Sequence, residues 1–447
     1  MFFELSLILI VFIAPFKNSI KILITGSYFF LYQYSVIARP YAMMMTAAFI
    51  CAMLYKSREK RPFLYILSLM FLCLCHSYGI AMAGGIVLAD LIETTVTAGD
   101  RSLQKIFLNN KRKITAYLIL FVFALCLVME IMPARDAFAV NMDKKIGFVP
   151  SFLLSWLLIP ADATVTSISS DLFAMQNRKY DPFELAAAAV ISLVIWLVLY
   201  IFSKNRKKRL NVFIPYLFIS VLMAVYAYSH HFGVFCIYIV CALWMLADEE
   251  PLKISEITAF LHITSINKKT EKLAFLSLYA FIFITNMGWN LYSYATDILN
   301  PYDPSRALAE WITDNNFENK SFLAAWAKAN KSHAIFSLNA YFDDGIAYNT
   351  NQNKTYLAHT VASAEEYEKN VEEWKKHSKP DFIMLNDKPL VEICDELEIE
   401  NDYLLIYSDY GIRVFKNKPS IATVYLYASK EIYNTTEVHF DPYVSME

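Results

Sequence analysis

Charge and glycine are both scarce in this chain of 447 residues: Asp, Glu, Lys and Arg make up 18% of it and glycine occurs 10 times, against a hydrophobic share of 57%. Soluble domains carry about a quarter charged residues, so the shortage excludes an ordinary soluble enzyme and implies that much of the chain lies in lipid. A surplus of either sign is missing too. The formal net charge of -2 gives no general attraction to nucleic acid, and basic residues act by position instead. Of the 7 cysteines, Cys51, Cys73, Cys75, Cys126, Cys236 and Cys241 sit in apolar runs and Cys394 in the polar C-terminal part. No disulfide framework and no metal site follows, since Cys73 and Cys75 beside His76 fit no common zinc spacing. The polar C-terminal part has no glycine-rich phosphate loop and no nucleophile elbow, and the chain shows no internal repeat.

What is there is a series of long apolar runs. A spanning helix needs roughly 20 apolar residues, somewhat fewer where the bilayer adapts. Candidates are Phe2 to Pro15, Ile20 to Ile37, Tyr41 to Tyr55, Phe63 to Glu93, Ile114 to Met132, Leu185 to Phe202, Val212 to Tyr228, Phe232 to Ala247 and Leu273 to Leu291. The basic stretches Lys56 to Arg61, Arg101 to Lys113 and Lys204 to Arg209 mark cytoplasmic turns. The run from Phe63 to Glu93 has basic flanks on both sides and is too long for one helix, so it crosses twice, turning near His76. The expectation is an α-helical polytopic membrane protein with about ten transmembrane helices in residues 1–296. Residues 133–183 form a long outer loop, within which Phe148 to Pro160 reads as an interfacial or re-entrant helix. Parity then places Ala38 to Pro40, His76, Ser229 to Phe232 and the C-terminal part on the outer face.

After Asn300 the composition becomes that of a soluble α/β domain, so residues 297–447 are expected to fold as an extracytoplasmic α/β unit. The pattern predicts helix from Asp303, strands at "SFLAAWA" and "HAIFSLNA", helix at "SAEEYEKNVEEWKKH", strand at "DFIMLN", a short helix near "LVEICDELE", and strands "YLLIYS" and "GIRVFK".

Several residues stand out against the apolar background. Tyr28, Tyr32, Ser35 and Arg39 follow 4-3-4 spacing, which puts them on one face of a helix that Pro40 ends. Arg39 is permanently charged, and its planar fork suits a phosphate or carboxylate. His76 with Tyr78 at the hairpin turn, and His230 with His231 at a later outer turn, supply imidazoles able to hold a diphosphate or shuttle a proton; a plain polar turn explains the pair equally well. A general base for hydroxyl attack wants a carboxylate, and the outer side offers Glu130, Asp136, Asp143, Asp162 and Asp171.

Taken together, "PFKNSIKILITGSYFFLYQYSVIARPYAMMM", the short hairpin through "LCHSYGIAMAGG", "YSHHFGVFCIYIVCALWML" and the C-terminal part beginning "NPYDPSRALAEWI" resemble the GT-C multi-spanning glycosyltransferases, in particular the bacterial mannosyltransferase-like group. The resemblance covers residues 1 to about 430. It implies a cell-membrane enzyme that moves a sugar from a polyprenyl-phosphate donor to a glycan, lipid or protein acceptor on the outer face. By position the resemblance gives the lipid phosphate to Arg39, with Tyr41 and His76; Tyr32, His230 and His231 join them as substrate-binding candidates from the residues themselves. A divalent metal as cofactor is left open. The chain departs from the family in opening on "MFFELSLILIVF" without the first outer loop that carries the family's acidic base. Either an amino-terminal helix and loop are missing, or the carboxylate has moved or gone; Asp136, Asp143 and Glu130 are the remaining candidates for the catalytic base. The rival readings are a transporter or flippase of lipid-linked glycan, which would be expected to show repeats, and a catalytically inactive membrane scaffold.

Overall fold

The computed structural model describes residues 1–36, 40–97, 110–132, 147–168, 181–262, 267–324, 337–343, 346–349, 368–369, 372–373, 375–376, 379–385 and 390–435. Arg39, Asp136, Asp143 and Asp171 lie outside the described residues. The chain divides into two compact units with a boundary between Tyr292 and Ser293.

The first unit is helical. Its elements are α1 (Phe2–Ile8, prolonged by π-helical Leu9–Ile13), α2 (Asn18–Thr25), a π-helical turn (Phe29–Gln33), α3 (Tyr34–Val36), α4 (Tyr41–Tyr55), α5 (Pro62–Cys75), α6 (Ser77–Thr97) and α7 (Lys111–Glu130). There follow α8 (Phe148–Leu157), α9 (Ile159–Thr164), α10 (Pro182–Asn205), α11 (Arg209–Val225), a 3-10 turn (Ser229–Phe232), α12 (Gly233–Glu249), α13 (Ile254–Phe260) and α14 (Lys268–Leu299), which carries the chain across the boundary. Among the described residues, five helices are long and apolar enough to cross a membrane: Ser77–Val96, Lys111–Glu130, Pro182–Asn205, Ser229–Glu249 and Lys269–Leu299. Five more are apolar but shorter: Phe2–Ile13, Tyr41–Tyr55, Pro62–Cys75, Phe148–Leu157 and Arg209–Val225. The chain is thus a helical protein of membrane character.

Proline and glycine set the local geometry. Pro62 and Pro182 open α5 and α10, positions where a missing N–H costs nothing. Asp181 caps α10 by accepting from the Phe183 N–H at 2.9 Å. His76, in extended backbone, separates α5 from α6, so the run from Phe63 to Glu93 is two helices, as its basic flanks require. On α6, Gly84 faces Phe218, and a Cβ on Gly85 would lie 2.9 Å from the Pro215 nitrogen and 3.0 Å from the Ile214 oxygen. The α6 and α11 backbones therefore pack at a closeness that only glycine allows.

The sequence reading needs correction in two places here. The run Ile20 to Ile37 is no single helix: α2 stops at Gly26, and the π turn and α3 follow. Of the two readings of Phe148 to Pro160 the interfacial one fails, leaving the re-entrant one, for α8 and α9 break at Leu158 and pack within the unit against α10, α11 and α12. There Tyr216 donates to the Ser155 carbonyl, Trp156 donates to Ser220 at 3.0 Å, and Trp196 to the Trp156 carbonyl at 2.8 Å. Cys126 lies on the apolar helix α7, as expected, and unlike the other cysteines is exposed there.

The second unit holds a five-stranded sheet in the order β2-β1-β3-β5-β4, with β1 (Phe322–Ala324), β2 (Ala347–Asn349), β3 (Phe382–Leu385), β4 (Tyr403–Phe415) and β5 (Lys418–Ser429), and with α15 (Ser305–Asp314), α16 (Leu390–Leu397) and α17 (Lys430–Thr435). β1 pairs in parallel with β2 and β3, while β5 runs antiparallel to β3 and β4. Alternation sends Phe322, Phe382 and Met384 to one face, under Leu308 and Ile312 of α15. Leu323, Ile383 and Leu385 go to the other, under Ile393, Cys394 and Leu397 of α16. A helix thus covers each face, which is why "FIML" is apolar at every position. Two expected strands, "YLLIYS" and "GIRVFK", are the single strand β4; its hairpin partner β5 was not anticipated. In "HAIFSLNA", Ser337–Asn339 are helical rather than extended.

Candidate functional site: an imidazole and tyrosine cluster

Four helices, α4, α6, α11 and α12, run between two side-chain clusters about 22 Å apart, the rise of the 15 residues of α4. At one end the basic turns meet. Asp90 of α6 is 1% exposed and takes Arg58 Nε on Oδ1 at 2.7 Å, with Lys113 Nζ and the Tyr117 hydroxyl on Oδ2. Glu59 joins Lys113 at 2.5 Å, and the Arg58 guanidinium lies 3.9 Å from the Tyr55 ring centroid. Lys208 pairs with Glu93, Asn211 donates to the Tyr55 hydroxyl at 2.8 Å, and Lys56 donates to the Asp248 carbonyl at 3.2 Å. These turns are on one side of the bundle.

At the other end lies a ladder of rings. Tyr34, Tyr41, His76 and Tyr78 stack in succession, with centroids 4.6, 5.2 and 5.2 Å apart. His231 stands edge-on beside it, 5.2 Å from Tyr78 and 6.0 Å from His76, and His230 is 4.3 Å from His231 and stacked on Tyr228. The Tyr78 hydroxyl donates to the Tyr226 carbonyl, and the Tyr34 hydroxyl donates to the His230 carbonyl at 3.0 Å. The Tyr228 N–H donates to His231 Nδ1 at 2.9 Å and the Tyr78 N–H to His76 Nδ1 at 3.2 Å, which assigns the proton of each neutral ring to Nε2. Tyr34, Tyr41, Tyr78 and His231 are buried. His76 and His230 are half-buried with Ser77, Tyr226, Tyr228 and Ser229, and form the accessible edge.

The structure therefore brings together Tyr41, His76, His230 and His231 from three separate stretches of sequence. Tyr32 goes elsewhere: its ring packs 5.5 Å from Tyr28, which in turn bonds Gln33 and meets Trp289. Of the expected stripe, Tyr28 and Tyr32 are buried together, but Ser35 is exposed and returns its hydroxyl to the Leu31 and Tyr32 carbonyls; the π turn adds a residue per turn, and Tyr34 takes the inward place. Glu130 is exposed at the end of α7 and is not part of the ladder. Asp162 is buried on α9, which packs against the 3-10 turn; its Oδ1 accepts from Thr166 Oγ1 at 2.9 Å and from the Ile168 N–H at 2.7 Å.

Three polar residues of the first unit were passed over in the sequence. Asn286 on α14 accepts from the Tyr28 N–H at 2.9 Å and donates to the Thr164 carbonyl, and Asn290 donates to the Gly26 carbonyl at 3.0 Å. With Asp90 they share one signal: a polar side chain inside an apolar run needs a partner.

Chemically, the accessible edge offers imidazole and hydroxyl groups that can donate to an anionic oxygen or pass a proton. Among the described residues, no group of three or more His, Cys, Asp or Glu is placed to hold a metal ion. Compared with protein-family models, curated proteins and solved structures, the chain matches none.

Proposed function

We propose that the chain is a membrane glycosyltransferase of GT-C type, with about ten crossings and its C-terminal α/β unit on the outer face, that transfers a sugar from a polyprenyl-phosphate donor. The observation that carries this reading is the ladder of Tyr34, Tyr41, His76 and Tyr78 with His230 and His231, at the end of the bundle opposite the basic turns. Pro40 and Tyr41 begin α4 in this ladder, so Arg39 precedes it by two residues. Such an end suits an anionic lipid headgroup: arginine binds phosphate by its fork, and imidazole N–H groups add donors.

In the reaction, an acceptor hydroxyl attacks the anomeric carbon as the bond from that carbon to the phosphate oxygen breaks. The departing phosphate keeps the electron pair and is stabilised by Arg39. The hydroxyl proton passes to a carboxylate, for which the stretch between α7 and α10 supplies Asp136, Asp143 and Asp162.

The test is binding of polyprenyl phosphate to the full chain in nanodiscs, with unphosphorylated polyprenol as control. The native chain should prefer the phosphate, Arg39→Ala should abolish the preference, and Arg39→Lys should recover part of it. Equal binding of the two lipids by the native chain would remove the reading. The broken pair α8 and α9 favours a second one, a transporter of lipid-linked glycan, since transporters build their sites from interrupted helices. Movement of labelled glycan lipid across a vesicle membrane without turnover would select it.

A further inference from the structure

The turn between α10 and α11 and the short helix α13 together make a surface at the basic end that the ladder does not involve. α13 is fastened to the last two turns of α10. Glu256 takes Arg206 at 2.9 and 3.1 Å and Asn205 at 2.8 Å. Arg206 also donates to the Glu250 and Pro251 carbonyls. Phe260 packs 6.3 Å from the Tyr200 ring, with Lys204 Nζ 5.2 Å from its own centroid. Tyr200 lies five residues, about 7 Å, before the end of a helix long enough to span a membrane. That depth is the headgroup band in which amphipathic helices lie.

The sides of α13 differ. Glu256 turns to α10 and Phe260 rests on the Tyr200 ring while still 37% exposed; Ile254 and Leu261, seven residues apart on the opposite face, are 39% and 45% exposed. In the adjoining turn Lys204, Lys207 and Arg209 are all exposed, and Lys204 lies over the Phe260 ring. Three carboxylates here are engaged, Glu256 by Arg206, Glu250 by Lys253 and Glu93 by Lys208, while Asp248 and Glu249 lie at the end of α12. Among the described residues no carboxylate pairs with Lys204, Lys207 or Arg209. Lys207 also has φ 56, a left-handed helix-end position where glycine is the usual and less strained residue.

We propose that α13 and the turn Lys204 to Arg209 form a surface that binds the anionic headgroups of the bilayer. Ile254 and Leu261 enter the acyl boundary, and the three basic side chains recruit negatively charged lipid around them. Lys207 keeps a charge where the backbone would favour glycine, so its replacement separates charge from folding.

The experiment places an environment-sensitive dye at Leu261→Cys in a Cys126→Ser background, the other native cysteines being buried. The full chain is reconstituted in nanodiscs containing brominated phosphatidylglycerol or brominated phosphatidylcholine at equal mole fraction. Quenching by the anionic lipid should be at least about three-fold stronger, since one Lys or Arg near the surface enriches anionic lipid roughly five-fold. In Lys207→Gly the ratio should fall while the chain elutes and melts as the native one does. In Lys204→Gln/Lys207→Gly/Arg209→Gln it should approach one. Equal quenching in the native chain, or an unchanged ratio in the triple variant, overturns the assignment.

Discussion

Replacing Asp90 by asparagine removes one charge from a site where two buried cations converge. Arg58 and Lys113 are 9% and 6% exposed at the side chain, so losing their shared partner leaves positive charge in low dielectric, an effect that typically costs about 3–5 kcal/mol. The two cations do not suffer equally. Lys113 keeps Glu59 at 2.5 Å, whereas Arg58 keeps that carboxylate only at 4.0 Å, with the Tyr55 carbonyl at 3.1 Å. Arg58 therefore carries most of the penalty, and Asp90→Asn is expected to cost about 3 kcal/mol. Adding Arg58→Met should restore more than half of that, because an apolar residue of similar length has no charge to strand. Adding Lys113→Met should restore less. Unfolding of the detergent-solubilised chain by added sodium dodecyl sulfate, followed by circular dichroism, measures the series. A cost for Asp90→Asn within about 0.5 kcal/mol of zero, or a further loss on adding Arg58→Met, would refute the reasoning.

Three other outcomes are expected. Gly85→Ala should destabilise by about 1–3 kcal/mol because its Cβ meets the Pro215 backbone, while Gly288→Ala, with open space around it, should be neutral or gain up to about 1 kcal/mol; equal effects in a thermal melt would contradict the close α6–α11 packing. Burial pushes the Glu256 carboxyl up, but hydrogen bonds from Arg206, Asn205 and the Lys253 backbone outweigh it and hold it below its usual 4.5. A lowered folded value means stability that is complete above the usual range and lost as pH falls through the folded value. Hydrogen-exchange protection of residues 254–260 should therefore hold from pH 8 to 5 and fade only in stronger acid, and fading from pH 7 would count against the pairing. For the proposed orientation, a cysteine at Ser229 in a cysteine-free background should react with an impermeant maleimide in intact cells and one at Asn205 should not; the reverse pattern would invert the topology.

Much of the helical unit was legible, and the reason is periodicity and charge. The break at His76 followed from an apolar run too long for one helix with basic residues on both flanks. The ladder was legible only in part. His76, Tyr41, His230 and His231 stood out as polar residues at predicted turns, but nothing in the sequence says that turns so far apart meet. Tyr34 was hidden for a different reason: a π turn shifts the phase by a residue, so α-helical counting, right for Tyr28 and Tyr32, sends Ser35 inward in place of Tyr34. In the second unit, Asp409 and Tyr410 look like a loop between two strands, yet β4 lies at a sheet edge and tolerates polar residues. β5 begins with Lys418, Pro419 and Ser420, which read as a turn.

The two clusters also have a mechanical consequence. α4, α6, α11 and α12 are linked near the Asp90 end by Arg58, Lys208, Asn211 and Lys56. They are linked again at the ladder, where Tyr41, Tyr78, Tyr226 and His231 touch. A barrel hooped at both rims resists tilting of its staves, since opening one rim means stripping a buried ion network and opening the other means unstacking rings. Large rocking of these four helices against each other is thus opposed at both ends of the bundle. Anything that visits the ladder has to reach a preset frame, arriving sideways from the lipid or from the solvent.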